Sequence, residues 1–306
     1  MDVTLAKKIK KYRTMYVFLI PAVALTIIFS YTPMIGVIMA FQNYNPIKGF
    51  FGSEFVGVKH FIEFLNDSAF YSALKNTLGI NLLMIIIGFP LPIVFALMIN
   101  EIKDGSFKRI TQSISYLPHF ISWVVIAGMA YRLLEEDFGS INLLINFLGG
   151  EKVAFFREAD YFWGILVTLA IWKELGWNAI IYLAALSGID SQIYEAATVD
   201  GAGRFKKLIH ITLPGIRPTI SLMFILTIGS LATSVGGTGL EAIMNLQNAM
   251  VSKSSTTIDY YIYFQGLKMN RMSFAAAIGL SQSIIALGLV FATNSFNRKK
   301  KGYGAF

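Results

Sequence analysis

Charged residues along the 306-residue chain are spaced so that they leave five long uncharged windows, Met15 to Phe41, Asn76 to Asn100, Ile110 to Tyr131, Pro218 to Leu240 and Met272 to Asn297. A sixth apolar stretch runs from Tyr161 to about Ile189 and carries one charged pair near its middle, Lys173 and Glu174. A helix crossing a bilayer needs roughly 20 predominantly apolar residues, so each window is long enough to span with some tilt. Pro21, Pro33, Pro90, Pro92 and Pro118 fall inside the windows. Neighbouring helices can re-satisfy the backbone around a proline in a membrane, so these positions predict kinks and not boundaries. The pattern therefore predicts an all-α integral membrane protein with six transmembrane helices.

Composition agrees with that pattern, because 55% of the residues are hydrophobic and only 14% are charged, where a soluble domain carries about 25%. The first window is too long for a cleaved signal peptide and is read as a retained helix. The formal charge of +8 acquires meaning from its distribution and not from nucleic acid. Sixteen of the basic residues lie in segments 1–14, 101–109, 186–217 and 298–301, nine lie in the alternate connections, and Lys173 lies within a span. Basic residues accumulate on the cytoplasmic side, which predicts a multi-pass plasma-membrane protein with both termini inside. The organisation expected is a basic tail over 1–14, a six-helix domain over 15–297 and a second basic tail over 298–306. There is no cysteine, which excludes disulfides, thiolate metal sites and thiol nucleophiles. Tyr12, Tyr16, Tyr161, Phe162 and Trp163 lie near span ends and read as an interfacial belt.

The longest internal connection, 190–216, reads as two short helices around a glycine corner. Asp190 or Ser191 can cap the first helix and place Glu195 in or near its first turn. Gly201 and Gly203 allow a sharp turn. Phe205, Leu208, Ile209 and Thr212 share one face of the second helix, and Pro214 is expected to stop that helix before the fifth span.

Within this connection Glu195-Ala196-Ala197, then Asp200-Gly201-Ala202, then Ile211-Thr212-Leu213-Pro214 and Arg217-Pro218 closely resemble the EAA loop of membrane subunits of binding-protein-dependent ABC importers. The resemblance extends through Phe29-Ser-Tyr-Thr-Pro-Met-Ile-Gly36, Asn76-Thr77, Leu117-Pro-His-Phe-Ile-Ser-Trp123 and Phe274-Ala-Ala-Ala-Ile-Gly279 to the LplB-like saccharide permeases. It implies a type I ABC importer permease fold and import of oligosaccharides by alternating access in a bacterial plasma membrane. The implied partners are a second homologous permease subunit, two cytoplasmic ATPase subunits that bind ATP and Mg, and an external solute-binding lipoprotein. Glu195, Ala196, Ala197, Asp200, Gly201, Ala202 and Pro214 are then the ATPase-coupling residues, with Glu195 a fixed charge or cap and Gly201 the turn.

Ionisable residues at membrane depth point to a cavity or pathway. Glu174 and Asn178 are one helical turn apart, Trp177 lies beside them, and Trp172 and Tyr182 are near. Rings that stack on sugar C–H faces, joined by carboxylates and amides that bond hydroxyls, suit a saccharide path. Lys173 and Glu174 also fit a structural ion pair, and both readings stand. Ser230, Thr233 and Ser234 of the fifth window fit the same path or close helix packing. His60, His119 and His210 show no metal-ligand spacing. No phosphate loop and no hydrolase or zinc-protease motif occurs, so the chain is not expected to be an enzyme. The competing functions are an ion-coupled secondary carrier, for which Glu174 alone would serve, and an intramembrane enzyme on lipid-linked sugars. Neither accounts for the loop from Glu195 to Pro214.

Overall fold

A computed structural model describes residues 11–234 and 239–301, without the side chains of 232, 233 and 299–301. Most of the basic N-terminal tail and the end of the C-terminal one lie outside the described residues. Among the described residues, five helices are long and apolar enough to cross a membrane: α1 (Arg13–Phe41), α3 (Ser68–Glu101), α7 (Ala159–Ser187), α9 (Arg204–Leu231) and α12 (Met272–Arg298). The remaining predicted span, the window from Ile110 to Tyr131, is a broken one. Its two halves, α4 (Ser106–Phe120) and α5 (Trp123–Leu133), meet at 99°, so the window from Ile110 to Tyr131 is not one straight helix. Leu117–Phe120 tightens into a 3₁₀ turn around Pro118. Ile121 and Ser122 are then extended, and the Ser122 hydroxyl accepts from the Val125 N–H to start α5.

The chain divides into two compact units, Met1–Asn66 with Gln265–Leu280, and Asp67–Phe264 with Ser281–Phe306. In the first, α1 ends at a short antiparallel pair, β1 (Gln42–Asn43) and β2 (Glu54–Phe55), followed by α2 (Lys59–Leu65). His60 is buried there, with its ring nitrogens 3.3 Å from Glu63 and 3.2 Å from the Gln42 carbonyl. Glu63 also pairs with Arg271, whose guanidinium stacks on Phe274. The apolar residues of α1, Phe18 and Phe29 among them, are exposed, as a helix facing lipid or another subunit requires.

In the second unit α7 is the centre of packing, lying against the C-terminal half of α3 and against α9. Ile93, Ala96, Ala179, Tyr182, Leu186 and Ile216 form one buried cluster. A second gathers Ile80, Trp123, Ile126, Phe162 and Leu166 with residues of α10 (Gly239–Leu246). Two belt expectations fail here. Phe162 is fully buried, and Trp163 packs on Gly79 while donating its indole N–H to the Ser254 carbonyl at 3.0 Å. Tyr12, Tyr16 and Tyr161 are exposed. Polar side chains within α3 hold the chain around 253–258. The Asn76 amide donates to the Lys253 and Thr256 carbonyls, and Thr77 Oγ1 accepts from the Ile258 N–H. Backbone groups that leave regular structure near the hydrocarbon thus find partners inside the protein.

Candidate functional site

The 190–216 loop forms from local rules. Asp190 caps α8 (Ser191–Val199) by accepting from the Gln192 N–H at 2.9 Å. The helix ends in a Schellman motif: the Ala202 N–H reaches the Ala197 carbonyl at 2.8 Å and the Gly201 N–H reaches Thr198 at 3.0 Å. Gly201 takes φ +74° to make this closure, a conformation that costs a residue with a Cβ about 1–2 kcal/mol. The spacing of Ala197, Asp200, Gly201 and Ala202 is therefore a helix stop. Lys207 donates to Thr198 Oγ1, and the Tyr194 and Thr212 hydroxyls meet at 2.9 Å, tying α8 to the start of α9.

Glu195 is the fifth residue of α8, next to its first turn, and its exposed side chain has neither hydrogen bond nor ion pair among the described residues. One detail differs from expectation: Pro214 does not stop the helix. Leu208–Thr212 widens into a π turn, and α9 continues through Pro214 into the span. The wider turn removes the clash between a proline ring and the carbonyl four residues back. On the apolar face Phe205 and Ile209 are 72% and 42% exposed, with Val199 at 89% and Ile193 at 50%. Ala196 and Asp200 are also exposed. The loop presents apolar side chains left open among the described residues.

The second polar group lies on α7. Lys173 is 8% exposed. Its ammonium donates to the carbonyls of Pro118 (3.5 Å), His119 and Ile121 (2.8 Å). The Pro118 carbonyl also accepts from the Ile121 N–H at 3.1 Å, while those of His119 and Ile121 are freed where α4 breaks, so Lys173 acts as a cationic cap on the end of a helix. Its distance to Glu174 is 3.9 Å. Glu174 turns the other way and bonds His119 Nδ1 at 2.8 Å. An ionised carboxylate only accepts, and the pairing is met by the tautomer that carries its proton on Nδ1. The His119 ring stacks on Trp177 with centroids 4.2 Å apart and planes 1° from parallel. Gly176 brings the backbones together, since a Cβ there would lie 2.1 Å from the Ser115 carbonyl oxygen.

Beside this cluster is a cavity of about 300 Å³. Glu174, Asn178, Tyr182, Thr227 and Ser230 supply its polar wall, and Met84, Phe89 and Leu226 are part of its apolar one. Of the residues expected along a pathway, Glu174, Asn178, Tyr182 and Ser230 meet here. Trp177 stands one step behind, against His119. Trp172 is two positions from Glu174, hence on the far side of the helix, and is 42% exposed. Ser234 Oγ accepts from the Gly239 N–H at 3.0 Å and does not line the cavity. The side chain of Thr233 lies outside the described residues. Sequence reasoning placed His119 in the family-like Leu117–Trp123 motif without a role, and missed Thr227.

The arrangement of long apolar helices, one of them broken, an exposed apolar loop and a small cavity has counterparts among known proteins. Residues 88–301 match the family described as the inner membrane component of binding-protein-dependent transport systems. The chain is 40% identical over 292 residues to the polygalacturonan/rhamnogalacturonan transport system permease protein YteP of Bacillus subtilis, covering 95% of this chain and 90% of that one. It is 38% identical over 298 residues to protein LplB of the same organism, covering 97% and 92%. The solved structure of a bacterial alginate ABC transporter, in complex with periplasmic protein bound to an alginate pentasaccharide, contains a chain that is 35% identical. It superimposes with a TM-score of 0.89 over 99% of this chain and 100% of that one. The chain belongs to the family of inner-membrane permease components of binding-protein-dependent ABC importers. It is a membrane subunit and not an enzyme. Family membership sets aside the ion-coupled carrier and the intramembrane enzyme.

Proposed function

We propose that the chain is one of two homologous permease subunits that carry an oligo- or polysaccharide fragment across a bacterial plasma membrane. An external solute-binding lipoprotein delivers the sugar, and two ATPase subunits that bind ATP and Mg drive the cycle. The observation that carries this reading is the loop: a rigid corner at Gly201 flanked by exposed Ile193, Val199, Phe205 and Ile209. Apolar side chains held on an ordered protrusion suit a groove on another protein. Glu195, Ala196, Ala197, Asp200, Ala202 and Pro214 shape or border that protrusion. ATP-driven motion in a chain with no phosphate loop requires such a contact, because the nucleotide state of a partner must bias the position of the membrane helices. The charge bias supports both termini, and this loop, on the cytoplasmic side.

The saccharide assignment draws support from the substrates of YteP and of the alginate transporter, and from the chemistry of Glu174, Asn178, Tyr182 and Ser230 at one cavity. The test is co-purification of the tagged chain with the second permease and ATPase expressed beside it. The unaltered chain retains the ATPase, and Phe205→Asp or Ile193→Asp releases it while the chain stays in the membrane. Full retention by both variants would contradict the proposed docking face.

A further inference from the structure

We infer that His119 is a positioning residue for the saccharide path: it orients the Glu174 carboxylate toward the cavity from the elbow of the broken span. The inference rests on the saccharide reading above. Glu174 has two carboxylate oxygens with different surroundings. Oε2 accepts from His119 Nδ1 at 2.8 Å, while Oε1 lies 3.9 Å from the Lys173 ammonium, beyond hydrogen-bond reach. Among the described residues Oε1 has no hydrogen-bond donor, and Glu174 lines the cavity. A free carboxylate oxygen in a largely apolar wall fits the hydroxyl of a sugar, which donates, and a charge-assisted bond of this kind is the strong type.

His119 does not line the cavity, yet its position is fixed from three sides. Its carbonyl is held by Lys173, its ring face rests on Trp177, and Phe120 meets it edge-on at 5.3 Å. The elbow that breaks the third span therefore delivers one oriented N–H to one oxygen of Glu174, leaving the other for the substrate. Without that bond the carboxylate rotates about its side-chain torsions, and the free acceptor no longer points into the cavity.

The test uses the complete importer, with both permeases, ATPase and binding protein, reconstituted in proteoliposomes. The probe is a labelled oligosaccharide digest of pectin, which contains neutral and uronate fragments. His119→Phe keeps the ring against Trp177 and removes the donor. It should raise the apparent KM for uptake about tenfold, the loss of roughly one charge-assisted hydrogen bond, at equal amounts of assembled complex. His119→Asn places an amide N–H near the position of Nδ1 and should restore most of the affinity. In a Glu174→Gln background, His119→Phe should have little further effect, because both changes remove the same interaction. A KM within twofold of the parent for His119→Phe, or effects of the two substitutions that multiply, would overturn the inference. Uptake of no fragment by the unaltered importer would instead overturn the saccharide reading.

Discussion

Replacing Lys173 by Met tests whether the break in the third span depends on a charge borne by the fourth. Met keeps most of the volume and the apolar stem but removes the ammonium. The structure gives Lys173 three carbonyl acceptors, on Pro118, His119 and Ile121, in a site where the residue is 8% exposed. Each buried carbonyl left without a donor costs about 1–3 kcal/mol. Pro118 keeps the Ile121 N–H as a donor, so two carbonyls lose theirs, and relief from burying an ammonium offsets part of that total; a net loss of about 2–4 kcal/mol is expected. Thermal unfolding of the purified complex in detergent measures it. A loss of that size lowers the midpoint by roughly 4–16 °C on the scale of large domains. Lys173→Arg retains the charge and should fall between the two. A Lys173→Met midpoint within about 1 °C of the parent, a fall smaller than one lost hydrogen bond, would refute the capping role.

Three further outcomes follow from the same geometry. Gly176→Ala puts a methyl 2.1 Å from the Ser115 carbonyl oxygen; backbone must move, and the amount of assembled protein in the membrane, measured by blot, should fall several-fold. Single cysteines placed at Glu151 and at Gln192, both exposed, should react differently with an impermeant thiol reagent applied to intact cells: Glu151→Cys is labelled and Gln192→Cys is not, and the reverse would invert the orientation. Trp177→Ala removes the ring under His119, and a change in preference among saccharides is expected. Uptake of every sugar falling in step with assembled complex would make Trp177 purely structural.

The spans were legible because the bilayer demands long uncharged runs, and α1, α3 and α12 contain them; α9 instead runs Arg204–Leu231, and Gly239 and Leu240 at the end of the expected window belong to α10. The 99° break between α4 and α5 was not. Pro21 and Pro218 lie inside continuous helices, so a proline such as Pro118 does not by itself announce a sharp bend. What distinguishes the break is the Lys173 ammonium on its carbonyls, a contact 52 to 55 residues away in sequence. The same long-range contact explains why Lys173 and Glu174 could be read two ways: adjacent on a helix, they point to different partners. The turn at Gly201 was legible because only glycine takes its φ cheaply. The continuation of α9 through Pro214 was hidden, since a π turn leaves no mark in the apolar pattern. His119 stood in a family-like motif, but its role was hidden because its partner Glu174 lies 55 residues away in sequence.

The central claim, that the 190–216 loop couples a partner's ATP cycle to saccharide movement, is tested most directly by Gly201→Val in the reconstituted importer. Among the described residues, no atom beyond the adjoining ones lies within 4 Å of the added Cβ, so the penalty is the φ of +74° or a collision with the docked partner. A β-branched residue resists this conformation, at about 1–3 kcal/mol, concentrated at the corner. Insertion into the membrane and pairing with the second permease should persist, while ATP-driven uptake is lost through failed ATPase retention or futile hydrolysis. Uptake by Gly201→Val at the parent rate, with the ATPase retained, would contradict the account.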